Sequence, residues 1–90
     1  MKDSIRIDRW LWYARVYRTR SQSAANVSAG RVRVGGEKIR KPAYRIEPGA
    51  VVTVTVGRRV RVLEVLASGH RRGPPAESRL LYREVLPARA

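Results

Sequence analysis

The chain opens with apolar residues that recur at the spacing of one helix face. They fall at Ile7, Trp10, Leu11, Ala14 and Tyr17. This stripe predicts an amphipathic helix from Ile7 to Tyr17, with Asp8 in the first turn, where a negative charge suits the helix dipole. The opposite, outward face carries Arg9, Trp12 and Arg15.

A second helix is predicted between Thr19 and Gly30. Thr19 and Gln22 have the spacing of a capping box, in which the threonine begins the helix and the glutamine closes its first turn. Ala24, Ala25 and Val27 continue it, and Gly30 suits the left-handed position just beyond a helix end.

The pattern then changes to the alternation typical of strands. Strands are predicted at 31–34, 37–39, 51–56 and 60–66, joined by turns at Gly35-Gly36, Pro48-Gly49 and Gly57-Arg58-Arg59. A loop is predicted at residues 68–75. A last helix is predicted over 76–86, because Leu80, Leu81 and Val85 would share one helix face. The order of elements predicts a single small α+β domain over residues 1–90, with its core at about 6–66 and a loop and C-terminal segment at 67–90.

Charge adds a function class to this fold. The 90 residues carry 20 Lys and Arg but only 7 Asp and Glu, a net charge of +13, and 17 of the 20 cations are Arg. The excess is concentrated in residues 1–45. Such a charge should recruit a polyanion, with nucleic acid as the first candidate and an anionic membrane surface as the second.

Several classes of protein are excluded or disfavoured by what the sequence lacks. There is no Cys and one His, so disulfide frameworks, thiol nucleophiles and Cys-based zinc sites are excluded, and we expect no metal and no cofactor. No apolar run suits a membrane span or a signal peptide, so we expect a cytoplasmic protein. The chain has no room for a catalytic domain, and we expect no enzyme.

Four residues are interpreted individually. Trp10 is predicted to lie in the core. Trp12 could stack on an RNA base, pack beneath the Leu80-Leu81-Tyr82 segment, or lie at a partner interface. Asp8 is interpreted as a helix-start or arginine-orienting group, and His70 as a loop residue.

An ordered set of motifs runs through the first part of the chain. It comprises Arg6-Ile7-Asp8-Arg9-Trp10-Leu11, then Arg18-Thr19-Arg20-Ser21, then Gly30-Arg31-Val32-Arg33-Val34, followed by the Gly35-Gly36 turn, Lys41-Pro42 and Pro48-Gly49. This set resembles the S4 RNA-binding domain family. The resemblance extends from Arg6 to about Val56. Trp10-Leu11-Trp12 and the Leu80-Leu81-Tyr82 motif are most similar to the heat-shock protein 15 subfamily, in its short form without a C-terminal extension. Ser23 and Asn26 depart from the usual apolar residues of the second helix, and Gly35 replaces a common Asn.

The resemblance implies a fold and a role. The fold is the alpha-L motif, two N-terminal helices on a small antiparallel sheet. The role is binding to ribosomal RNA and the large ribosomal subunit, together with peptidyl-tRNA, in rescue or recycling of stalled ribosomes. Tailing of stalled chains, ribosome assembly and general binding of ribosomal or transfer RNA are alternatives. A DNA-binding helix-turn-helix is a weaker rival, because the link at Thr19 lacks the usual glycine.

The candidate RNA-binding residues lie at the two predicted helices and around the Gly35-Gly36 hairpin. The start of the second helix, where backbone N–H groups and a dipole end meet two guanidinium groups, is predicted to take a phosphate, the alternative being solvated linker charges. The full set of candidates is Arg6, Arg9, Arg15, Arg18, Thr19, Arg20, Gln22, Arg31, Arg33, Lys38, Arg40 and Lys41. For Arg9 and Arg15 an ordinary solvated helix face is an equal alternative, and for the cations from Arg31 onward the alternative is solubility.

Overall fold

The computed structural model describes residues 3–85 as two helices packed on an antiparallel sheet, followed by a short third helix. The elements are β1 (Ile5–Arg6), α1 (Ile7–Tyr13), α2 (Arg20–Ser28), β2 (Val32–Val34), β3 (Glu37–Ile39), β4 (Arg45–Ile46), β5 (Val51–Val56), β6 (Arg59–Val65), α3 (Pro75–Ser78), a 3-10 turn (Arg79–Leu81) and β7 (Tyr82–Val85). Five strands form one sheet in the order β3-β2-β5-β6-β7, and β1 pairs with β4 in a second, two-stranded sheet. The predicted α+β class is confirmed.

Helix α1 is shorter than its apolar stripe predicts, because it ends at Tyr13 instead of Tyr17. Arg15 adopts a left-handed φ of 62°. The Val16 N–H donates to the Leu11 carbonyl at 3.0 Å and the Arg15 N–H to the Trp12 carbonyl at 3.1 Å, which is the bonding of a Schellman motif. That position usually holds glycine, so the sequence carried no signal for this end. Tyr17 is still buried, and its hydroxyl donates to the Thr55 carbonyl at 3.1 Å.

Helix α2 agrees closely with its prediction. Thr19 is the N-cap residue, and its hydroxyl accepts a hydrogen bond from the Gln22 N–H at 3.0 Å. At the other end Gly30 has a φ of 78° and its N–H donates to the Val27 carbonyl. Ser23, one of the residues that departs from the family pattern, is fully buried, and its hydroxyl donates to the Asp8 carbonyl at 2.7 Å. The polar residue is therefore satisfied between the two helices.

The core lies between the helices and the inner face of the five-stranded sheet. Its fully buried members include Ile7, Trp10, Leu11, Val27, Val32, Val52, Val54 and Leu63. The alternation of β5 places Val52 and Val54 inward. Trp10 is in the core as predicted, and its indole N–H donates to the Ala67 carbonyl at 2.9 Å.

The predicted C-terminal helix over 76–86 is wrong beyond its first turn. Only Pro75–Ser78 is α-helical, and Tyr82–Val85 is a strand paired with β6. Without that strand β6 would present a row of unpaired N–H and C=O groups, and its pairing outweighs a weak helical spacing. Leu80 is 70% exposed, so it forms no helix face toward the core. Position 86, the last of the predicted helix, lies outside the described residues.

Candidate nucleic-acid interface

Acidic residues pair with arginines of the second half of the chain but leave most cations around α2 and the β2–β3 hairpin without an acidic partner in residues 3–85. In the second half, ion pairs join Arg61 to Glu84, Arg71 to Glu77 and Arg83 to Glu64 at N–O distances of 2.9, 2.6 and 2.6 Å. The Arg61 and Arg71 guanidinium groups hold the pKa values of Glu84 and Glu77 below their usual range through hydrogen bonds. Among residues 3–85, no such pair involves the cations around α2 and the β2–β3 hairpin, apart from the contacts of Arg20 with Asp8.

The start of α2 carries the first group of uncompensated cations. Beside the Thr19 cap, the Gln22 side chain accepts from the Arg18 N–H at 3.0 Å, so the capping box closes one residue earlier than predicted. Thr19 and Gln22 therefore fix the turn that precedes the helix. Arg18 is exposed, and its guanidinium has no hydrogen-bond partner within residues 3–85. Its position leaves it free to meet an anion at the helix N-terminus.

Arg20 and Arg6 converge on a single carboxylate. Two Arg6 nitrogens donate to the two Asp8 carboxylate oxygens at 3.1 and 3.0 Å. The Arg20 Nε lies 3.9 Å from the same carboxylate. Asp8 is only 2% exposed, whereas the side chains of Arg6 and Arg20 are 38% and 40% exposed. The interpretation of Asp8 as an arginine-orienting group agrees with this geometry.

The β2–β3 hairpin carries the second group. Arg33 is paired in register with Lys38 on one side and Thr53 on the other, so their side chains share the outer face of the sheet. A shallow cleft on that face is lined by Gly30, Arg31, Arg33, Lys38, Thr53, Thr55 and Val60.

Gly30 joins the hairpin group to the end of α2. A Cβ added at Gly30 would lie 3.0 Å from the Arg40 guanidinium and 3.1 Å from Lys38, so the side chains of both cations pass directly over this glycine. The two groups therefore lie at opposite ends of α2, roughly 13 Å apart along its axis.

The turn after β3 brings Lys41 to the start of α1. The Ile7 N–H donates to the Tyr44 carbonyl at 2.7 Å and the Asp8 N–H to the Pro42 carbonyl at 3.2 Å. These bonds satisfy the first N–H groups of α1, which have no side-chain cap. They also hold Pro42, the residue that follows Lys41, against the backbone of Asp8.

Two candidates, one on α1 and one just beyond its end, have different surroundings. Arg15 donates from Nε to the Gly73 carbonyl at 2.8 Å, so its side chain holds the 68–75 loop against α1. Arg9 is half-buried without a hydrogen-bond partner in the described part of the chain. It lines a cleft together with Arg6, Arg45 and His70. The role of Arg9 in binding stays a prediction.

Trp12 contacts the 68–75 loop. The Arg72 guanidinium lies 5.9 Å from the centroid of its ring, and Arg72 also donates to the Trp12 carbonyl at 3.1 Å. Among the described residues, no hydrogen bond or ring interaction joins Trp12 to the Leu80-Leu81-Tyr82 segment. Arg72 and Arg45 are cations that the sequence analysis did not single out. Arg45 lies on a two-residue strand and Arg72 in a loop, so neither belongs to a pattern that could have identified it.

Two further properties concern residues 3–85 only. None of the helices there has the length and apolar character that crossing a bilayer requires. No cluster of three or more His, Asp or Glu side chains in this part of the chain is arranged to hold a metal ion.

Comparison with known proteins identifies relatives that match most of the chain in sequence and in fold. The chain is 36% identical over 80 residues to heat shock protein 15 of Escherichia coli K12 and to its homolog in Aeromonas salmonicida, alignments that cover 89% of this chain. The chain spans about 60% of the length of these curated relatives. A trimeric structure of Vibrio cholerae heat shock protein 15 superposes with a TM-score of 0.86 at 34% identity, covering 91% of this chain and 82% of that one.

The family match covers both helices and the hairpin. A sequence model described as the S4 domain matches residues 5–52. This stretch contains the Thr19 cap, the Asp8 cluster and the cations around Gly30. The chain therefore belongs to the S4 domain family, and within it is similar to heat shock protein 15.

Proposed function

We propose that this protein binds structured RNA through a basic face. The face consists of Arg18, Arg20, Arg31, Arg33, Lys38, Arg40 and Lys41. The observation that carries the proposal is the separation of charge. Glu84, Glu77 and Glu64 pair with Arg61, Arg71 and Arg83, whereas within residues 3–85 the cations of the face make no ion pair apart from the approach of Arg20 to Asp8. Arginine forks bind phosphate in two-pronged fashion, which suits a nucleic-acid backbone.

The geometry favours folded RNA over duplex DNA. A-form RNA is recognised by shape and by phosphate and 2′-OH contacts, since its major groove is too deep and narrow for side chains to read. Cations held at both ends of the rigid α2 can follow such a backbone. A helix-turn-helix would instead need a recognition helix that enters the major groove, whereas the cations of this face lie at the start of α2 and in the hairpin beyond its end.

We further propose that the RNA is ribosomal RNA of the large subunit, with peptidyl-tRNA present, in the rescue or recycling of stalled ribosomes. Support comes from the role that the family resemblance implies and from the likeness to heat shock protein 15. The same proposal includes a non-enzymatic action and a cytoplasmic location. General binding of ribosomal or transfer RNA is the alternative.

Removing the two arginines at the start of α2 tests whether the face is a positioned site. Arg18→Ala with Arg20→Ala is expected to weaken binding to a folded ribosomal RNA fragment about tenfold, because each loses a phosphate contact. Arg58→Ala with Arg59→Ala removes equal charge from the β5–β6 turn and the first residue of β6, and we expect a loss of no more than about threefold. Affinities are measured by filter binding, with thermal unfolding as a check on the fold.

Two outcomes would contradict the proposal in different ways. Equal losses for the two double variants would leave only a diffuse basic surface. Equal wild-type affinity for duplex DNA of the same length, measured in competition at physiological salt, would overturn the assignment to RNA.

A further inference from the structure

A buried carboxylate lies within the most basic part of the molecule. Asp8 is 2% exposed and lies between Arg6 on β1 and Arg20 on α2. Burial of a carboxylate is unfavourable unless the group is paired and hydrogen-bonded. Asp8 meets this requirement through Arg6, which donates at 3.1 and 3.0 Å, and through Arg20, whose Nε lies 3.9 Å away.

The backbone fixes Asp8 from two further sides. Its N–H donates to the Pro42 carbonyl at 3.2 Å, and its carbonyl accepts from the Ser23 hydroxyl at 2.7 Å. Ser23 is fully buried and lies one turn after Arg20, so both point from the same side of α2 toward Asp8. Because α1, α2 and the 41–44 turn all contribute bonds that hold Asp8, its carboxylate has one position. Arg6 and Arg20 both interact with the carboxylate in that position.

Part of each of the two arginine side chains is exposed and accessible to another ligand. Arg6 engages Asp8 through Nε and Nη2, which leaves Nη1 without a partner among the described residues. Its side chain is 38% exposed and that of Arg20 is 40% exposed. A guanidinium held in one orientation loses less conformational entropy when it binds a phosphate than one that is free in solvent.

We propose that Asp8 is a positioning residue for RNA binding: by holding Arg6 and Arg20 it raises the affinity of the protein for a polyanion, although its own charge is negative. This inference rests on the proposed RNA binding and adds Arg6 to the positioned cations. Among residues 3–85, the charged groups that pair with the carboxylate are Arg6 on β1 and Arg20 on α2.

The test compares two neutralising substitutions with opposite expected effects. Asp8→Asn raises the net charge by one, from +13 to +14, and we expect it to weaken binding to a folded ribosomal RNA fragment about three- to tenfold, because the forks lose their anchor. Glu37→Gln makes the same change of charge at the exposed first residue of β3, where the carboxylate pairs with no cation in residues 3–85. We expect that control to bind with equal or higher affinity. Equal or tighter binding by a folded Asp8→Asn variant would overturn the inference.

A double-mutant cycle separates positioning from a general structural role. If Asp8 acts through the two arginines, Asp8→Asn should change affinity by less than about twofold in an Arg6→Ala, Arg20→Ala background. The same loss in both backgrounds would mean that Asp8 acts through the fold alone, and would overturn the inference.

A charge-preserving variant keeps the test valid where Asp8→Asn does not fold. Arg6→Lys with Arg20→Lys retains the net charge but replaces both forks by point charges. We expect at least about a threefold loss of RNA affinity, and unchanged affinity would contradict the inference. Absence of RNA binding by the wild-type protein would instead contradict the proposed function itself.

Discussion

The affinity of this protein for folded RNA is expected to fall about a thousandfold between roughly 50 and 200 mM salt. Each phosphate that a Lys or Arg neutralises releases about one condensed counterion, so the slope of log affinity against log salt reports the number of contacts. The basic face offers seven cations that make no ion pair within residues 3–85, apart from the 3.9 Å approach of Arg20 to Asp8. If about six of them reach phosphates, the expected slope is about −5.

The two arginine pairs provide the controls for this slope. Arg18→Ala with Arg20→Ala should make the slope less steep by about two, whereas Arg58→Ala with Arg59→Ala should leave it nearly unchanged. The measurement is a salt titration of the equilibrium affinity by filter binding. A nearly flat dependence in the wild-type protein would show that a polyanion is not the ligand of this surface.

Replacement of Trp10 by alanine is expected to remove about 3–5 kcal/mol of the free energy of unfolding, which is a large share of the stability of a small domain. Trp10 is fully buried between α1 and the sheet, and its N–H satisfies the Ala67 carbonyl. The substitution leaves a large cavity and an unpaired carbonyl oxygen. Urea-induced unfolding followed by circular dichroism measures the loss.

Trp12 is the matched control, because it is the same residue type on the same helix. It is half-buried and contacts the guanidinium of Arg72. Trp12→Ala should therefore cost no more than about 1–2 kcal/mol. A similar loss for both variants would contradict the assignment of Trp10 to the core and of Trp12 to the surface.

The elements that sequence predicts well are those whose signals are local. The Thr19 cap and the Gly30 stop are side-chain and backbone preferences that act within one turn, and they set the ends of α2 correctly. The alternation of Val51–Val56 likewise predicts β5 and its inward valines. Where a residue type and a backbone conformation match, the sequence is a sufficient guide.

The elements that sequence misses depend on distant parts of the chain. Strands β1 and β4 have two residues each, too few for an alternation to be visible. Tyr82–Val85 forms a strand because it pairs with the otherwise open edge of β6, and no local pattern in the sequence reveals that edge. Arg15 ends α1 in a conformation that its residue type does not indicate.

The candidate site likewise contains features with a local sequence signal and features that depend on distant residues. The clustering of Arg31, Arg33 and Lys38 follows from the hairpin, and their register was predictable from the Gly35-Gly36 turn. The convergence of Arg6 and Arg20 on Asp8 was not, because it requires the crossing of two helices that meet at Ser23. Sequence spacing gives no measure of that approach.

Co-sedimentation with ribosomes tests whether the protein binds the large ribosomal subunit. The wild-type protein is mixed with intact ribosomes, with free subunits, and with large subunits that retain peptidyl-tRNA, and its distribution is followed through a sucrose gradient at physiological salt. We expect it to sediment with the large subunits that carry peptidyl-tRNA, to leave them largely after puromycin releases the nascent chain, and to be weakened by Arg18→Ala with Arg20→Ala. Absence from every ribosomal fraction would contradict the proposed function, and equal retention on empty or small subunits would contradict the role in rescue.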